Sequence, residues 1–248
     1  MPSPSPSDTG LLFRPAAARF HSQLDWLDSW HTFSFASHVD PAWMGFGPLR
    51  VINDDTIAAG RGFGMHPHRD MEIITVMVAG QLNHRDSMGH AEVLRAGEVQ
   101  RMSAGTGIVH SEINAGDQPC RLLQIWIEPS TAGLAPSYAQ KPFAIGQTWT
   151  LLLDPEQRDG AMAIARPVRL WRAQPQKGAT LDLPLAADAR GWLQLITGGG
   201  QLQPGSAAAA VHLKQGDGLG LSSGQGNSAS LGFTAGDQGA DLLLFELR

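Results

Sequence analysis

The chain is poor in the features that mark secreted and membrane proteins. It has one cysteine, Cys120, so no internal disulfide can form and secretion is not indicated. Residues 1–8 lack the basic and apolar regions of a signal peptide, and their proline and serine content favours a flexible leader. No apolar run reaches the roughly 18 residues that span a membrane. We therefore expect a cytoplasmic protein that is not bound to a membrane.

Positive charge is scarce as well. The chain has 18 lysines and arginines against 23 aspartates and glutamates, which gives a formal net charge of -5. The basic residues form no stripe along the sequence, whereas nucleic-acid-binding domains carry a clustered basic surface. Direct nucleic-acid binding is therefore not expected.

Long amphipathic helical patterns are scarce too, and short apolar runs take their place. Glycine and proline are frequent, at 29 and 16 residues, and Gly, Asp and Asn separate the runs. This rhythm is typical of an all-β sandwich or barrel. Strands are predicted over residues 30–35, 49–53, 72–78, 93–94, 107–113, 121–127, 192–197, 211–214 and 241–247.

The two halves of the chain repeat one pattern. Three segments of the first half match segments of the second half in the same order: 78–82 with 198–202, 95–98 with 214–217, and 121–127 with 241–247. The repeat predicts two related β-barrels that arose by internal duplication. The predicted organisation is a flexible leader (1–15), a first barrel (16–135), a linker or short helix (136–150), and a second barrel (151–248).

Two pairs of side chains in the first half have the spacing of a metal site. His66 and His68 are two residues apart in an extended segment, so both side chains lie on one face of it. Pro67 between them disfavours a helix and fits a sheet edge or a bulge. His110 and Glu112 are also two apart, on a predicted strand. If the two pairs face each other, three imidazoles and one carboxylate surround a point that stays open to water, substrate or oxygen.

The chemistry of these groups favours a divalent transition metal. Imidazole binds iron, nickel, copper, zinc and manganese, and a carboxylate adds a hard oxygen ligand. A structural zinc of the cysteine type is not expected, because the chain has a single thiol. The spacing alone leaves a chance pairing open, since His-x-His pairs also occur without a metal.

The other histidines have simpler interpretations. We expect the surface or a satisfied core position for His21, His31 and His38, and a solvated hairpin loop for His84 and His90.

The segments around the two pairs resemble the motifs of a known family. Gly60-x5-His66-x-His68-x3-Glu72-x7-Gly80 resembles the first cupin motif. Gly97-x5-Ser103-x-Gly105-x4-His110-x3-Asn114 resembles the second, with Ser for the usual Pro and two extra residues before His. The signature of the pirin family resembles two segments of this chain, His66-Pro-His-Arg-Asp-Met-Glu72 and Ser103-Ala-Gly-Thr-Gly-Ile-Val-His-Ser-Glu112. The chain is similar to bacterial pirin-like proteins of the quercetin 2,3-dioxygenase type.

This resemblance implies an all-β bicupin that holds its metal in the first barrel only. The ligands that it implies are His66, His68, His110 and Glu112. Most other cupins use the first-motif glutamate, here Glu72, but pirins use the glutamate after the third histidine. Glu72 is then an outer partner of the site or a solvated strand residue. The implied cofactor is one divalent transition metal, Fe(II) first, with Ni, Cu, Zn, Mn or Co as alternatives.

The second half has no counterparts of these ligands. The extended internal alignment sets four residues opposite the four ligands, in order Ala186, Asp188, Ala229 and Leu231. These side chains cannot rebuild the site, so the second barrel is predicted to be free of metal.

Three functions are compatible with this reading. The resemblance implies a dioxygenase that cleaves a small aromatic substrate such as a flavonol with O2 and releases carbon monoxide. Glu112 is the candidate base for the hydroxyl proton, provided that it loosens from the metal, because a metal bond would hold its pKa low. The alternative is a non-enzymatic regulatory protein that binds a protein partner in a metal- or redox-dependent way. In a third case the metal only stabilises the barrel. The enzyme is favoured, because stability alone does not explain an open coordination site.

Three further residues bear on the pocket. Arg101 stands where pirins often carry an aromatic residue, so it alters either the pocket edge or a surface. Trp126 and Met65 are candidate pocket neighbours, although a barrel-core position is the commoner fate of both.

Overall fold

The computed structural model describes residues 10–203, 209–222 and 231–248, and its regular structure is almost entirely β. Short 3₁₀ helices cover Ala16–Ala18, Pro41–Trp43 and Arg158–Gly160. In the described ranges no helix is long and apolar enough to cross a membrane. The strands are β1 Leu11–Arg14, β2 Phe20–Gln23, β3 Leu27–His31, β4 Leu49–Ile57, β5 Gly62–His68, β6 Glu72–Ala79, β7 Gln81–Asp86, β8 Ala91–Arg95, β9 Glu98–Ser103, β10 Ile108–Ile113, β11 Cys120–Ile127, β12 Ser137–Pro142, β13 Thr150–Leu153, β14 Val168–Ala173, β15 Thr180–Asp182, β16 Arg190–Gln203, β17 Val211–Lys214, β18 Gly218–Leu221 and β19 Gly232–Leu247.

The strands form two barrels in sequence order. The first barrel closes a seven-stranded sheet, ordered β12-β9-β6-β11-β4-β3-β2, over a four-stranded sheet, ordered β5-β10-β7-β8. The second half forms an eight-stranded sheet along the path β1-β18-β16-β19-β14-β13, with β15 on β19 and β17 on β16. The all-β, two-barrel prediction is confirmed.

Two segments that the sequence set outside the barrels contribute strands to them. Within the predicted leader, β1 pairs with β18 of the second barrel, from Leu11 opposite Leu221 to Arg14 opposite Gly218. Within the predicted linker, β12 pairs along its whole length with β9 of the first barrel. Both strands obtain their hydrogen bonds from distant partners, so their own composition does not reveal them. The other domain bounds stay predictions, and residues 1–9 of the leader lie outside the described ranges.

Several predicted strands have different ends in the structure, and two of them differ around polar or turn residues. The 30–35 strand ends at His31, and a bridge between Phe35 and His38 follows, around Ala36 with a φ of 49°. The 49–53 strand continues to Ile57 in spite of two aspartates. Arg121 pairs with Asp54, and the hydroxyl of Ser29 donates to Asp55. These tertiary partners stabilise polar residues in a strand that local propensity would end.

The seven-stranded sheet is buried on both faces. On β11, Leu123 and Ile125 belong to an apolar cluster that also contains Trp192 of the second barrel. Their neighbour Leu122 belongs to another cluster, with Leu82 of the four-stranded sheet. Alternate residues of β11 therefore face the second barrel and the interior of the first. This explains why 121–127 is a nearly continuous apolar run rather than an alternating one.

The contact between the barrels is centred on Trp192. This side chain is fully buried, and its ring centroid lies 4.9 Å from that of Phe33 and 5.4 Å from that of Phe46. The second barrel thus supports the sheet that forms one wall of the first barrel's interior.

Candidate metal centre

Strands β5 and β10 bring the two predicted pairs together. They are antiparallel neighbours, with His66 directly opposite His110 and His68 opposite Ile108. Pro67 lies on β5, which is the edge strand of the four-stranded sheet, where the missing N–H is tolerated. The register shifts between His110 and Glu112, so Glu112 lies opposite Phe63.

Three imidazoles converge at this point. The ring centroids are 4.4 Å apart for His66 and His110, 4.8 Å for His66 and His68, and 4.9 Å for His68 and His110. One ring nitrogen of each histidine lies within 4.8 Å of those of the other two, so the three could hold one metal ion.

Glu112 joins this group from one side. Its carboxylate lies within 4.8 Å of ring nitrogens of His110 and His84. The four predicted ligands thus fall into two overlapping groups that share His110. Gln124 Nε2 donates a hydrogen bond of 2.9 Å to Glu112 Oε2. Burial, followed by the nearby charge of Asp55, raises the pKa of Glu112 to about 7.

The ring nitrogens have the protonation that metal ligands need. His66 Nδ1 lies 2.7 Å from the carbonyl oxygen of Gly64 and donates to it, so Nε2 is the ring nitrogen that is placed to bind a metal. Burial, with the charge of His66 as the next cause, lowers the pKa of His68 to about 4 and that of His110 to about 2. These rings are therefore neutral near pH 7.

The partner-free nitrogens of His110 test whether the site fits a metal. His110 is fully buried, and among the described residues neither ring nitrogen has a hydrogen-bond partner. A buried polar group without a partner is costly, and the rare examples in proteins require an explanation. A divalent transition metal bound to His110 supplies one, and the imidazole and carboxylate donors suit such an ion.

His84 is a neighbour of the site that the sequence interpretation missed. The prediction of a solvated loop was wrong for this residue, which lies on β7 opposite Glu112 and is 1% exposed. Its Nε2 donates to Asp86 Oδ2 over 3.1 Å, whereas Nδ1 has no partner in the described structure. The one tyrosine, Tyr138, stacks on His84 with centroids 4.7 Å apart. The sequence held one signal, because His84 shares its strand face with the apolar Leu82.

We expect His84→Leu to weaken metal binding by about 10–100-fold, the range typical for a residue that orients a ligand from outside. The physical reason is that Asp86 fixes the ring of His84 beside His110 and Glu112. Competition with a chromophoric chelator measures the affinity. His90→Leu is the matched control, because His90 also binds Asp86 and stacks on Tyr138 but belongs to neither ligand group. An equal loss in both variants would contradict the assignment.

A cavity of about 340 Å³ opens beside the imidazoles, between the two sheets of the first barrel. Its apolar wall includes Phe35, Phe63 and Trp126. Trp126 lies edge-on to His68, with ring centroids 5.0 Å apart. It lines the cavity, as expected for one of the two candidate pocket neighbours. The other, Met65, is 60% exposed and is not part of the lining. The volume lies within the range of small-molecule sites, about 300–1,000 Å³.

The seven-stranded sheet supplies a polar part of the same cavity wall. His31 Nδ1 donates to Asn53 Oδ1 over 2.8 Å, and the hydroxyl of Ser22 lies 2.9 Å from His31 Nε2. His31 is therefore satisfied, as predicted for a core histidine, and it also lines the cavity. Next to it lies Asp55, which is 3% exposed and accepts a hydrogen bond from Ser29. Burial raises the pKa of Asp55 to about 7.

Asp55→Asn is expected to stabilise the metal-free protein in alkali but not in acid. The raised pKa means that the native state keeps a proton that the unfolded chain releases near its ordinary pKa. This stabilising protonation is fully present below the unfolded pKa and is lost as the pH rises through about 7. Because one pKa unit corresponds to about 1.4 kcal/mol, the gain in unfolding free energy should grow by more than about 1 kcal/mol between pH 4 and pH 8. Urea unfolding measures it, and a difference independent of pH would contradict the expectation.

Glu72 and Arg101 lie outside the two ligand groups. Glu72 is 1% exposed, so it is not a solvated strand residue, and its carboxylate accepts a hydrogen bond from the hydroxyl of Ser103. Arg101 donates to the hydroxyl of Ser137 over 2.6 Å, at the pairing of β9 with β12. Neither residue lines the 340 Å³ cavity.

The counterpart positions of the second barrel have other surroundings. Leu231 belongs to the apolar core of that barrel, and Asp188 lies 3.9 Å from Arg248. Ala186 has no ligand atom in its side chain, and Ala229 lies outside the described residues. A metal-free second barrel remains a prediction.

The fold and the site together define a class of protein. A pair of cupin barrels, the first of which gathers imidazoles and a carboxylate beside an aromatic cavity, is a bicupin with the features of a metal centre. A family model described as pirin matches residues 13–127, and a model described as the quercetinase C-terminal cupin domain matches residues 151–247. The chain belongs to the pirin family.

Relatives and solved structures agree with this membership. A quercetin 2,3-dioxygenase of Escherichia coli (strain K12) is 42% identical over 96% of this chain and 98% of its own length. One from Escherichia coli O157:H7 is 48% identical over 76% of this chain and 82% of its own. The crystal structure of the bacterial pirin YhhW from Escherichia coli in complex with nickel(II) has a TM-score of 0.87 and 42% identity, and covers 96% of this chain and 98% of that one.

Proposed function

We propose that this protein is a metal-dependent dioxygenase of the quercetin 2,3-dioxygenase type, which cleaves flavonols with O2. The observation that carries the proposal is the cavity of about 340 Å³, whose aromatic wall continues into His66, His68 and Glu112. A site that only stabilised the barrel would not need an adjoining cavity of ligand size. The names of the two relatives at 42% and 48% identity support the same reaction.

The proposed ligands of the metal are His66, His68, His110 and Glu112. We propose Fe(II) as the native ion, with nickel, copper, zinc, manganese or cobalt as alternatives, since a mixed nitrogen and oxygen donor set accepts all of them. The nickel complex of YhhW supports a divalent ion at such a site. When bound, the ion supplies Lewis acidity toward an ionised phenolic oxygen and orients the reactants.

The aromatic side chains of the cavity hold the flat substrate. Phe35, Phe63 and Trp126 present apolar surface, and burial of a flavonol ring between them is favourable in proportion to the area removed from water. The same surface excludes water from the reacting ring. In the overall reaction O2 enters the ring-opened product and carbon monoxide leaves.

Glu112 is the proposed base. It takes the proton of the flavonol 3-hydroxyl, which leaves the negative charge on the phenolic oxygen. Burial, followed by the charge of Asp55, raises the pKa of Glu112 in the metal-free site. A bond to the metal would hold this pKa low, so Glu112 takes the proton once its bond to the metal loosens. The hydrogen bond from Gln124 keeps one carboxylate oxygen in place while the other moves the proton.

The test combines metal analysis with gas measurements on one sample. Freshly prepared protein is loaded with each metal in turn, mixed anaerobically with quercetin, and then given O2. Consumption of O2 and release of carbon monoxide should each match the flavonol consumed. Metal-free protein and free metal ion are the controls. Turnover no faster than that of free metal ion would refute the proposed function.

A further inference from the structure

We infer that the polar wall of the cavity is a second recognition site, in which Asp55 accepts a hydrogen bond from a hydroxyl on a substrate ring other than the ring that carries the 3-hydroxyl. The inference rests on the proposed function and assigns the residue that distinguishes flavonols with hydroxylated outer rings from those without. The wall lies on strands β3 and β4 of the seven-stranded sheet, whereas His66, His68 and Glu112 lie on the four-stranded sheet. A ligand that spans the cavity meets both.

Asp55 is a buried carboxyl with acceptor capacity to spare. Within the described ranges its one hydrogen-bond donor is the hydroxyl of Ser29, and no lysine or arginine pairs with it. Its neighbour Asp54, on the other face of the same strand, pairs with Arg121 at 2.8 Å and with Arg19 at 3.7 Å. Buried carboxyls need partners, because each loses its hydration on folding. Asp54 is paired with two arginines, whereas Asp55 faces the cavity, where a ligand could supply its partner.

The polar side chains near Asp55 form hydrogen bonds with one another. His31 Nδ1 donates to Asn53, and the hydroxyl of Ser22 lies against His31 Nε2. These contacts hold the wall rigid and leave the carboxyl of Asp55 as the group that takes a ligand.

The surrounding surface selects the chemical class of the donor. An ammonium group would also satisfy a carboxyl, but Phe35, Phe63 and Trp126 line the same cavity and favour a flat aromatic body. A phenolic hydroxyl is the donor that such a body carries. A hydroxylated aromatic substrate therefore fits both the apolar and the polar parts of the cavity.

The experiment compares four flavonols against three variants. The ligands are 3-hydroxyflavone, which has only the 3-hydroxyl, galangin with added A-ring hydroxyls, and kaempferol and quercetin with added B-ring hydroxyls as well. Binding to metal-loaded protein is measured anaerobically by tryptophan fluorescence, and kcat and KM are measured in O2. Asp55→Asn keeps the shape of the side chain, and Asp55→Leu removes its polar atoms. Asp54→Asn is the matched control on the same strand.

The wild-type protein should bind at least one of the more hydroxylated flavonols about fivefold or more tightly than 3-hydroxyflavone, as one additional hydrogen bond allows. Asp55→Asn should reduce this preference and Asp55→Leu should abolish it, with affinity for 3-hydroxyflavone retained. The step of the series at which the preference arises identifies the ring. Asp54→Asn should keep the wild-type preference while it loses thermal stability.

Several outcomes would overturn the inference. One is an equal loss of affinity for all four flavonols in both Asp55 variants. The others are a wild-type protein that binds the hydroxylated flavonols no more tightly than 3-hydroxyflavone, and an Asp54→Asn variant that loses this preference. If any of these accompanies carbon monoxide release by the wild type, the proposed function stands without the inference. If the preference depends on Asp55 but no flavonol is cleaved, the proposed function fails and the binding site stands. Absence of binding by every flavonol rejects both.

Discussion

His110→Ala is expected to abolish metal binding and flavonol cleavage together. His110 is the one residue common to both groups of potential ligands, and its two ring nitrogens have no protein partner in the described structure. Its loss should lower metal affinity by more than the roughly 10–100-fold typical of outer partners. Metal content after dialysis and carbon monoxide release are the measurements. The rise in Tm that metal gives the wild type should disappear, because ligand binding stabilises only a native state that binds.

The matched control is His212→Ala. His212 is an exposed histidine of the second barrel and belongs to neither ligand group, so this variant should keep its metal, its activity and its metal-dependent Tm. Retention of one metal per chain by His110→Ala would show that the ion binds elsewhere.

Glu112→Gln is expected to have the second largest effect, and Glu72→Gln almost none. Both residues are buried glutamates at positions that cupins use for a carboxylate ligand, with exposures of 3% and 1%. Only Glu112 lies within reach of the imidazole nitrogens, and only Glu112 lines the cavity. We expect Glu112→Gln to lower metal affinity by at least about 100-fold, above the range of outer partners.

The pH dependence gives this comparison a second readout. A ligand must lose its proton before it binds a metal, so affinity rises with pH through the pKa of the ligand. With the pKa of Glu112 raised to about 7 in the metal-free site, wild-type affinity should increase between pH 6 and pH 8. Glu112→Gln should lose this part of the increase, and Glu72→Gln should keep it. The reverse pattern would assign the carboxylate to Glu72.

Much of the site could be predicted because it depends on the period of a strand. The two-residue spacing of His66 and His68, and of His110 and Glu112, determines which face each side chain occupies. The facing of the two pairs follows once β5 and β10 are neighbours. The shift of register between His110 and Glu112 was not predictable, since a bulge adds a residue without a sign in the hydrophobic pattern. On its other side β10 pairs with β7 without a shift, and this pairing places Glu112 beside His84.

The parts that sequence reasoning missed depend on partners far away in the chain. The pair Asp54-Asp55 predicts the end of a strand, yet Arg121 binds Asp54 and Ser29 binds Asp55, and both aspartates lie within β4. The polar wall of the cavity therefore had no sequence signature. His84 was assigned to a loop for the same reason, because its neighbours Asp86 and Gly89 indicate a turn, while the pairing of β7 with β10 buries the ring.

The pairing of β1 with β18 has a consequence for how the molecule is made. Leu11 leaves the ribosome before the whole first barrel, whereas its partner Leu221 follows only after that barrel and most strands of the second sheet have been synthesised. The edge of the second sheet therefore stays incomplete until β18 has been synthesised, and non-local closures of this kind form late and slowly. A fragment that begins after β1 would expose the unpaired edge of β18, and such an edge can form hydrogen bonds with a strand of another chain. A strand that precedes the first barrel in the sequence thus completes the sheet of the second barrel.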